Sequence, residues 1–470
     1  MIFNIFVVAC ILCSASGSFL VQIGLDIDGK EVGEQSGSSV ATTADGNMVA
    51  IGSPHATFDG TSSAGIVRVY NLLNATSWSQ IGSDIGDAGF SGTGSSVSIS
   101  ANGDTLVIGA PSSVHDGYSN VGVVRVYTLQ SWAEHQYYVQ RGSDIYGQEA
   151  DDRAGEYVSL SSDGSIVAVG TPTIGVVRVY NWSDSDWAQM GLTFEEGSWA
   201  ETGYTGPTIC LSDGGHMIAI GSPEDSVYTG LVRVYGFIGN SWTQLGGDIV
   251  GSKIISAHGS AVSLSGGFIT AGSSTPITLA VGAYLLYQVK VYRLSNLDGA
   301  PGAMLWNQIG SDINTEESGD AFGSSLSLSE DGNTLAIGAI FNDGNGVNSG
   351  QSKVYTFNGT TWSQVGSDLN GESAQDYSGS SISLSADATT LAIGAKFNDD
   401  GGSDAGHVQM FRIPTLTQTV CTSDQYESVA PTSTSDRMCT DLTVCTPGEY
   451  ESVAPTSTSD RECTSASLSD

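Results

Sequence analysis

One pattern of apolar and polar positions returns along most of the chain, and it is clearest between residues 323 and 368. Gly323-Ser-Ser-Leu-Ser-Leu-Ser329 alternates apolar and small polar residues with a period of two. Asp331-Gly332 follows, a two-residue hairpin signal, and then a second apolar run, Asn333 to Ala339. A polar loop from Phe341 to Gly350 leads to Ser352–Phe357 and finally to Trp362-Ser-Gln-Val-Gly-Ser-Asp368. Four short apolar segments, joined by glycine-rich turns and without helical periodicity, predict a four-stranded antiparallel sheet. The last segment carries Q-x-G-x-D-[IL], intact or eroded, and this element begins at Gln22, Gln80, Gln140, Gln189, Gln244, Gln308 and Gln364, a period of roughly 57 residues. Two residues ahead of the Gln stand Trp78, Trp187, Trp242, Trp306 and Trp362, with Tyr138 and Leu20 in the other copies.

Seven such sheets set radially close a ring and protect their edges. The expected fold is therefore all-β: a seven-bladed β-propeller of four-stranded antiparallel blades over residues 18–413. A stacked solenoid is the rival architecture, but its repeats are usually shorter and it needs end caps. The two ends of the repeat region favour the ring. The seventh period has its first three segments, Gly379–Ser385, Thr390–Ala395 and Gly406–Phe411, and no Trp-x-Gln segment after them. The chain instead supplies that segment at its start, Val21-Gln-Ile-Gly-Leu-Asp26. The N-terminal strand is expected to complete the last blade.

Phe322-Gly323 and Gly109-Ala110-Pro111, with the variants Gly52-Ser53-Pro54, Gly170-Thr171-Pro172 and Gly221-Ser222-Pro223, resemble the FG-GAP repeats of integrin-α propellers. That resemblance implies an extracellular recognition or adhesion module. Its calcium loop, Asp-x-Asp-x-Asp-Gly-x-x-Asp between the first two strands, has no counterpart here. Short turns such as Asp45-Gly46, Asn102-Gly103, Asp163-Gly164 and Asp331-Gly332 stand in its place. A two-residue turn cannot supply the six to eight oxygens that calcium takes.

Residues 1–17, MIFNIFVVACILCSASG, read as a signal peptide: a short apolar stretch followed by small residues at the cleavage positions. The product is expected to be secreted, extracellular or associated with the cell surface, without membrane insertion once the signal is removed. Cys10 and Cys13 leave with the signal, and Cys210 sits in an apolar strand as a small core residue. Cys421, Cys439, Cys445 and Cys463 fall within a tandem in which Tyr426–Arg437 and Tyr450–Arg461 are identical. Four cysteines allow three pairings, and the tandem favours Cys421–Cys439 with Cys445–Cys463, one disulfide per copy. This stretch, 421–463, resembles the cysteine-rich repeats of tumour-necrosis-factor-receptor and ephrin-receptor ectodomains. Residues 414–420 read as a linker and 464–470 as a tail.

Charge narrows the partners. Fifty Asp and Glu against 15 Lys and Arg give a net charge of −35, which disfavours nucleic acid, since phosphate contacts need basic residues. With strands A to D in each blade, the D→A and B→C loops share one face, and most of the acid falls there. Arg68, Arg125, Arg178, Arg233, Lys290 and Lys353 recur at one place in strand C, usually in Val-Arg-Val-Tyr, and are expected to bridge to an acid on an adjacent strand. Calcium is the candidate cofactor, with Asp343 and Asn345, and Asp399, Asp400 and Asp404, as the best spaced oxygen ligands. Sequons at Asn74, Asn181 and Asn358 are candidate glycosylation sites in C→D loops, away from the acid.

No zinc-protease helix or nucleophile elbow is present, and the six histidines have no metal spacing. The expected function is non-catalytic: binding of an extracellular protein or glycan through the acidic loop face. A carbohydrate-active enzyme using two loop carboxylates and a structural coat component are the alternatives.

Overall fold

The structure is a computed structural model. It describes residues 20–414 apart from 74–75, 133–134, 173–174, 196–207, 224–228, 254–255, 267–275, 296–300 and 316–317, and beyond them 425–429, 438–444, 449–453, 456, 459–460 and 462–465. Contacts divide the chain into Leu20–Ile413 and a second unit that holds Pro414–Asp470. No helix among the described residues is long and apolar enough to cross a membrane.

Leu20–Ile413 folds as seven antiparallel sheets in sequence order. Blade 1 illustrates the plan: strand A is Ser39–Thr42, B is Met48–Ser53, C is Ile66–Leu73 and D is Ser77–Gln80. Strand A alternates, whereas strand B is apolar throughout because sheets on both sides cover it; Thr105–Ala110 of blade 2 is buried at every position. The core lies between blades. Val107, Val124 and Val126 of blade 2 pack against Leu160, Val167 and Val169 of blade 3.

Blade 7 is closed from the far end of the chain, as the repeat count requires. Val21 and Gln22 pair with Arg412 and Phe411, and Ile27 and Asp28 pair with Val408 and His407. Between these pairs the strand kinks at Gly24, φ 79°. The other copies kink at the same glycine of Q-x-G-x-D, and in six of the seven copies strand D re-pairs as a separate short segment. The motif's ends brace that kink. The Gln amide donates to the Asp carboxylate in Gln80–Asp84, Gln140–Asp144, Gln244–Asp248, Gln308–Asp312 and Gln364–Asp368, at 2.7–2.8 Å.

Neighbouring blades are stitched by the other recurrent residues. The indole Nε1 of Trp78, Trp187, Trp242, Trp306 and Trp362 donates to the carbonyl of Ile23, Arg141, Met190, Leu245 and Ile309, the residue after the Gln of the preceding blade. In strand A a hydroxyl accepts an N–H from the next blade, as Ser98 does from Leu160 and Ser327 from Leu384. Cys210 holds that place in blade 4 and accepts from Leu264 at 3.3 Å; burial pushes its thiol up to about 11, so it is a packing residue and not a nucleophile.

The glycines of the FG and GAP places also act as a pair. Gly37, Gly94, Gly155, Gly259, Gly323 and Gly379 have φ between 83° and 90°, where a Cβ is strained. Each presents its carbonyl to the GAP glycine of the preceding blade, so closely that a Cβ on Gly109 would lie 2.0 Å from Gly155 O.

His258 stands in blade 5 where Phe322 stands in blade 6, and it is 1% exposed. Burial, with Lys290 nearby, pushes its imidazole down to about 4. The neutral form is the one that folds, so its contribution is complete above the ordinary value near 6.5 and is lost as pH falls through 4. Replacing it with the neighbouring blade's residue, His258→Phe, is expected to flatten the acid side of the stability curve by about 2 kcal/mol at pH 5. Parallel urea titrations of both proteins at pH 7.5 and pH 5 check this; an equal loss in the two would refute it.

In the C-terminal unit, Gln425–Val429 pairs with Met438–Asp441 and Glu449–Val453 with Glu462–Ser465. Both hairpins have the same register and the same bulge, with Glu427 opposite Cys439 and Glu451 opposite Cys463. Cys421 and Cys445 lie outside the described residues, as do residues 1–17, most of the 414–420 linker and the end of the tail.

Candidate functional site: the acidic loop face

The B→C loops and the following D→A loops meet at one end of the blades. Gly65 bridges Thr93, Gly122 bridges Ala154, Gly230 bridges His258 and Gly350 bridges Ser378, each tying a B→C loop to the next D→A connection. Exposed acids on this face include Asp28, Glu31, Asp59, Asp116, Glu149, Asp151, Asp343 and Asp399.

A good part of the acid is nevertheless turned inward. Glu34, Asp152, Asp320 and Asp376 are at most 5% exposed. Asp152 Oδ2 accepts the N–H groups of Gln148 and Glu149, and Asp376 Oδ2 accepts from Ser373 N and Asn398 Nδ2. These side chains hold the loops. Charge counting cannot separate them from exposed acids; their place two residues before the FG position, repeated in several copies, is the signal that could have.

The strand-C cations sit beneath the face and neutralise the motif's aspartates. Arg68 bridges Glu34 and Asp84, and Arg125 bridges Asp144 at 2.6 Å and Asp87 at 2.7 Å. Arg233 pairs with Asp248, Lys290 with Asp312 and Lys353 with Asp368. The Arg233 guanidinium holds Asp248 below the usual carboxylate range. Blade 3 has Thr193 in place of the aspartate, and Nε of its buried Arg178 has no hydrogen-bond partner.

Blade 7 breaks this rule. Its strand C reads Val408-Gln409-Met410-Phe411, with a neutral amide at the cation's place. Gln409 Nε2 donates to Glu372 at 3.0 Å, and Asp26 receives Gln22 at 2.5 Å but no guanidinium or ammonium. Asp26, Glu372, Asp400 and His407 each bring one ligand-type atom within 4.8 Å of the others.

In the two loops expected to hold calcium, the carboxylates also accept backbone hydrogen bonds. Asp343 Oδ1 accepts Asn348 N, Asp399 Oδ1 accepts Asp404 N, and Asn345 Nδ2 donates to Gly371 O. The carboxylates brace their own loops, and Asp404 takes a left-handed backbone, φ 52°. Asp400 alone is brought into a cluster with other ligand-type groups.

Aromatic rings interrupt the acid near blades 6 and 7. Tyr377 stands edge-on to Phe341 at 5.7 Å and to Phe397 at 5.3 Å between ring centres. Phe341 is 40% exposed. This row escaped the sequence reading because its members come from separate loops. His115, one of two histidines in equivalent loops, stacks on Tyr146 at 3.6 Å.

Of the sequons, Asn358 is exposed at the C–D turn of blade 6, Asn181 lies within strand C of blade 3 and not in a loop, and Asn74 is outside the described residues.

Ring, stitching and loop face together define a seven-bladed β-propeller assembled from one repeated blade. The family model described as FG-GAP repeat matches residues 314–357 and 370–411, the first three strands of blades 6 and 7 with the connection ahead of each. No curated protein matches the chain. Among solved structures, the β-propeller domain of Cps50 (Swd1) from Myceliophteria thermophila is 13% identical with a TM-score of 0.50, over 83% of this chain and 100% of that one. Hydrazine synthase from Kuenenia stuttgartiensis is 10% identical with a TM-score of 0.46, over 83% and 97%. A likeness at these identities concerns the fold.

Proposed function

We propose that this chain is a secreted, non-catalytic binding protein that recognises an extracellular protein or glycan through the acidic loop face. The observation that carries the reading is the row Phe341, Tyr377 and Phe397, a partly exposed aromatic surface set among exposed carboxylates on the face where loops from different blades meet. Aromatic faces supply contact area for sugars and side chains at low entropic cost, and the surrounding charge steers cationic partners. FG-GAP repeats and the leader-like residues 1–17 support an extracellular setting.

The test is a glycan array and a panel of cell-surface proteins, run beside a hydrolysis assay on every glycan that binds. Saturable binding without turnover is expected, weakened at least tenfold in Phe341→Ala/Phe397→Ala. Turnover of a bound glycan, or binding indifferent to the double substitution, overturns the reading.

A further inference from the structure

Blade 7 lacks two devices that secure most of the other blades. Leu20 replaces the stitching Trp, and Gln409 replaces the strand-C cation. It is also the only blade built from two distant parts of the chain. Yet acid converges there: Asp26 from the N-terminal segment, Glu372 from the connection between blades 6 and 7, and Asp400 from the B→C loop.

A second observation, independent of the acids, points to a ligand. His407 opens strand C and is 1% exposed. Its Nδ1 has no hydrogen-bond partner and faces Asp26 Oδ2 at 3.9 Å, too far for a hydrogen bond. An orphaned nitrogen in a buried imidazole is costly unless something occupies its lone pair or takes its proton.

We propose that Asp26, Glu372, Asp400 and His407 bind one first-row divalent transition-metal ion, which ties the N-terminal segment to the last blade. Three carboxylates and one imidazole suit Zn²⁺ or Mn²⁺, with Zn²⁺ the tighter, whereas Ca²⁺ prefers six to eight oxygens. A tetrahedral shell with bonds of about 2.1 Å needs ligand atoms roughly 3.4 Å apart, so the present cluster closes by about an ångström on binding. The ion stands in blade 7 where a guanidinium or ammonium stands in blades 1, 2, 4, 5 and 6. The site is separate from the recognition reading, and its test uses no protein or glycan ligand.

The full chain, stripped of metal, is titrated with Zn²⁺, Mn²⁺, Ca²⁺ and Co²⁺. Zn²⁺ at a hundredfold over its Kd should raise Tm by about 3 °C. Co²⁺ should give a visible d–d band from the coordinated ion. Both signals should vanish in His407→Gln and in Glu372→Gln, the second variant guarding against misfolding of the first, and both should survive Asp343→Asn/Asp399→Asn. Absence of the band and the shift in the parent chain overturns the site. So does persistence of either signal in the His407 and Glu372 variants, or a Ca²⁺ effect equal to that of Zn²⁺.

Discussion

Deletion of residues 19–27 is expected to lower the melting temperature by about 10 °C or more, and to leave much of the protein unfolded at 37 °C. The segment inserts Ile23 and Ile27, 4% and 7% exposed, into the seam between blades 7 and 1. Losing a buried Ile costs about 2–5 kcal/mol. The deletion also frees the edge of His407–Arg412, which pairs with Val21, Gln22, Ile27 and Asp28, and removes the carbonyl of Ile23 that accepts the Trp78 indole. Together these losses reach about 6–10 kcal/mol, the size of a whole domain's stability. An exposed strand of this kind also pairs with other chains, so aggregation should accompany unfolding. Calorimetry with size-exclusion chromatography checks both. A melting temperature within a degree or two of the parent would show that the ring closes without its N-terminal strand.

The ring was readable from the sequence because it is written seven times. Tight turns, kinked strands and close backbone contacts each require glycine or a short polar residue at one place, and repetition separates those requirements from chance. Asp45, Asp163 and Asp331 in the A→B turns show the same economy. Partial burial pushes their carboxyls up, but hydrogen bonds from Thr43 and Asn47, from Ser161 and Ser165, and from Ser329 and Asn333 hold them below the usual range. They are turn residues. The cluster in blade 7 was not readable in that way. Its four members lie at positions 26, 372, 400 and 407, and no local spacing joins them. The legible trace was a departure from the repeat: Gln409 where six copies have Arg or Lys, and Leu20 where five have Trp. Nor could composition tell Glu34 or Asp320, folded inward onto Arg68 and Asn342, from acids that face solvent.

The second large effect concerns the glycines. Gly109→Ala adds one methyl group in the middle of the blade 2–blade 3 seam. Gly109 itself has an ordinary extended backbone, so the substitution carries no conformational penalty of its own. The new Cβ would lie 2.0 Å from Gly155 O and 2.8 Å from Gly155 C, both backbone atoms that cannot rotate away. The Ser96 hydroxyl, which donates to the same carbonyl at 2.7 Å, would be displaced as well. Relief requires the two blades to separate, which loosens Val107 and Val124 against Leu160 and Val169 and forfeits dispersion along the seam. Overpacking usually costs about 1–3 kcal/mol; with a rigid obstacle the upper end or more is expected, about 3 kcal/mol, or roughly 4 °C in Tm. Gly117→Ala is the control, since a Cβ there meets nothing within 4 Å although its φ of 82° strains the backbone. If Gly109→Ala costs no more than Gly117→Ala and less than about 1 kcal/mol, then the seam admits a methyl group freely, blade-to-blade approach does not dictate glycine at the GAP place, and the stitching account of the repeat fails.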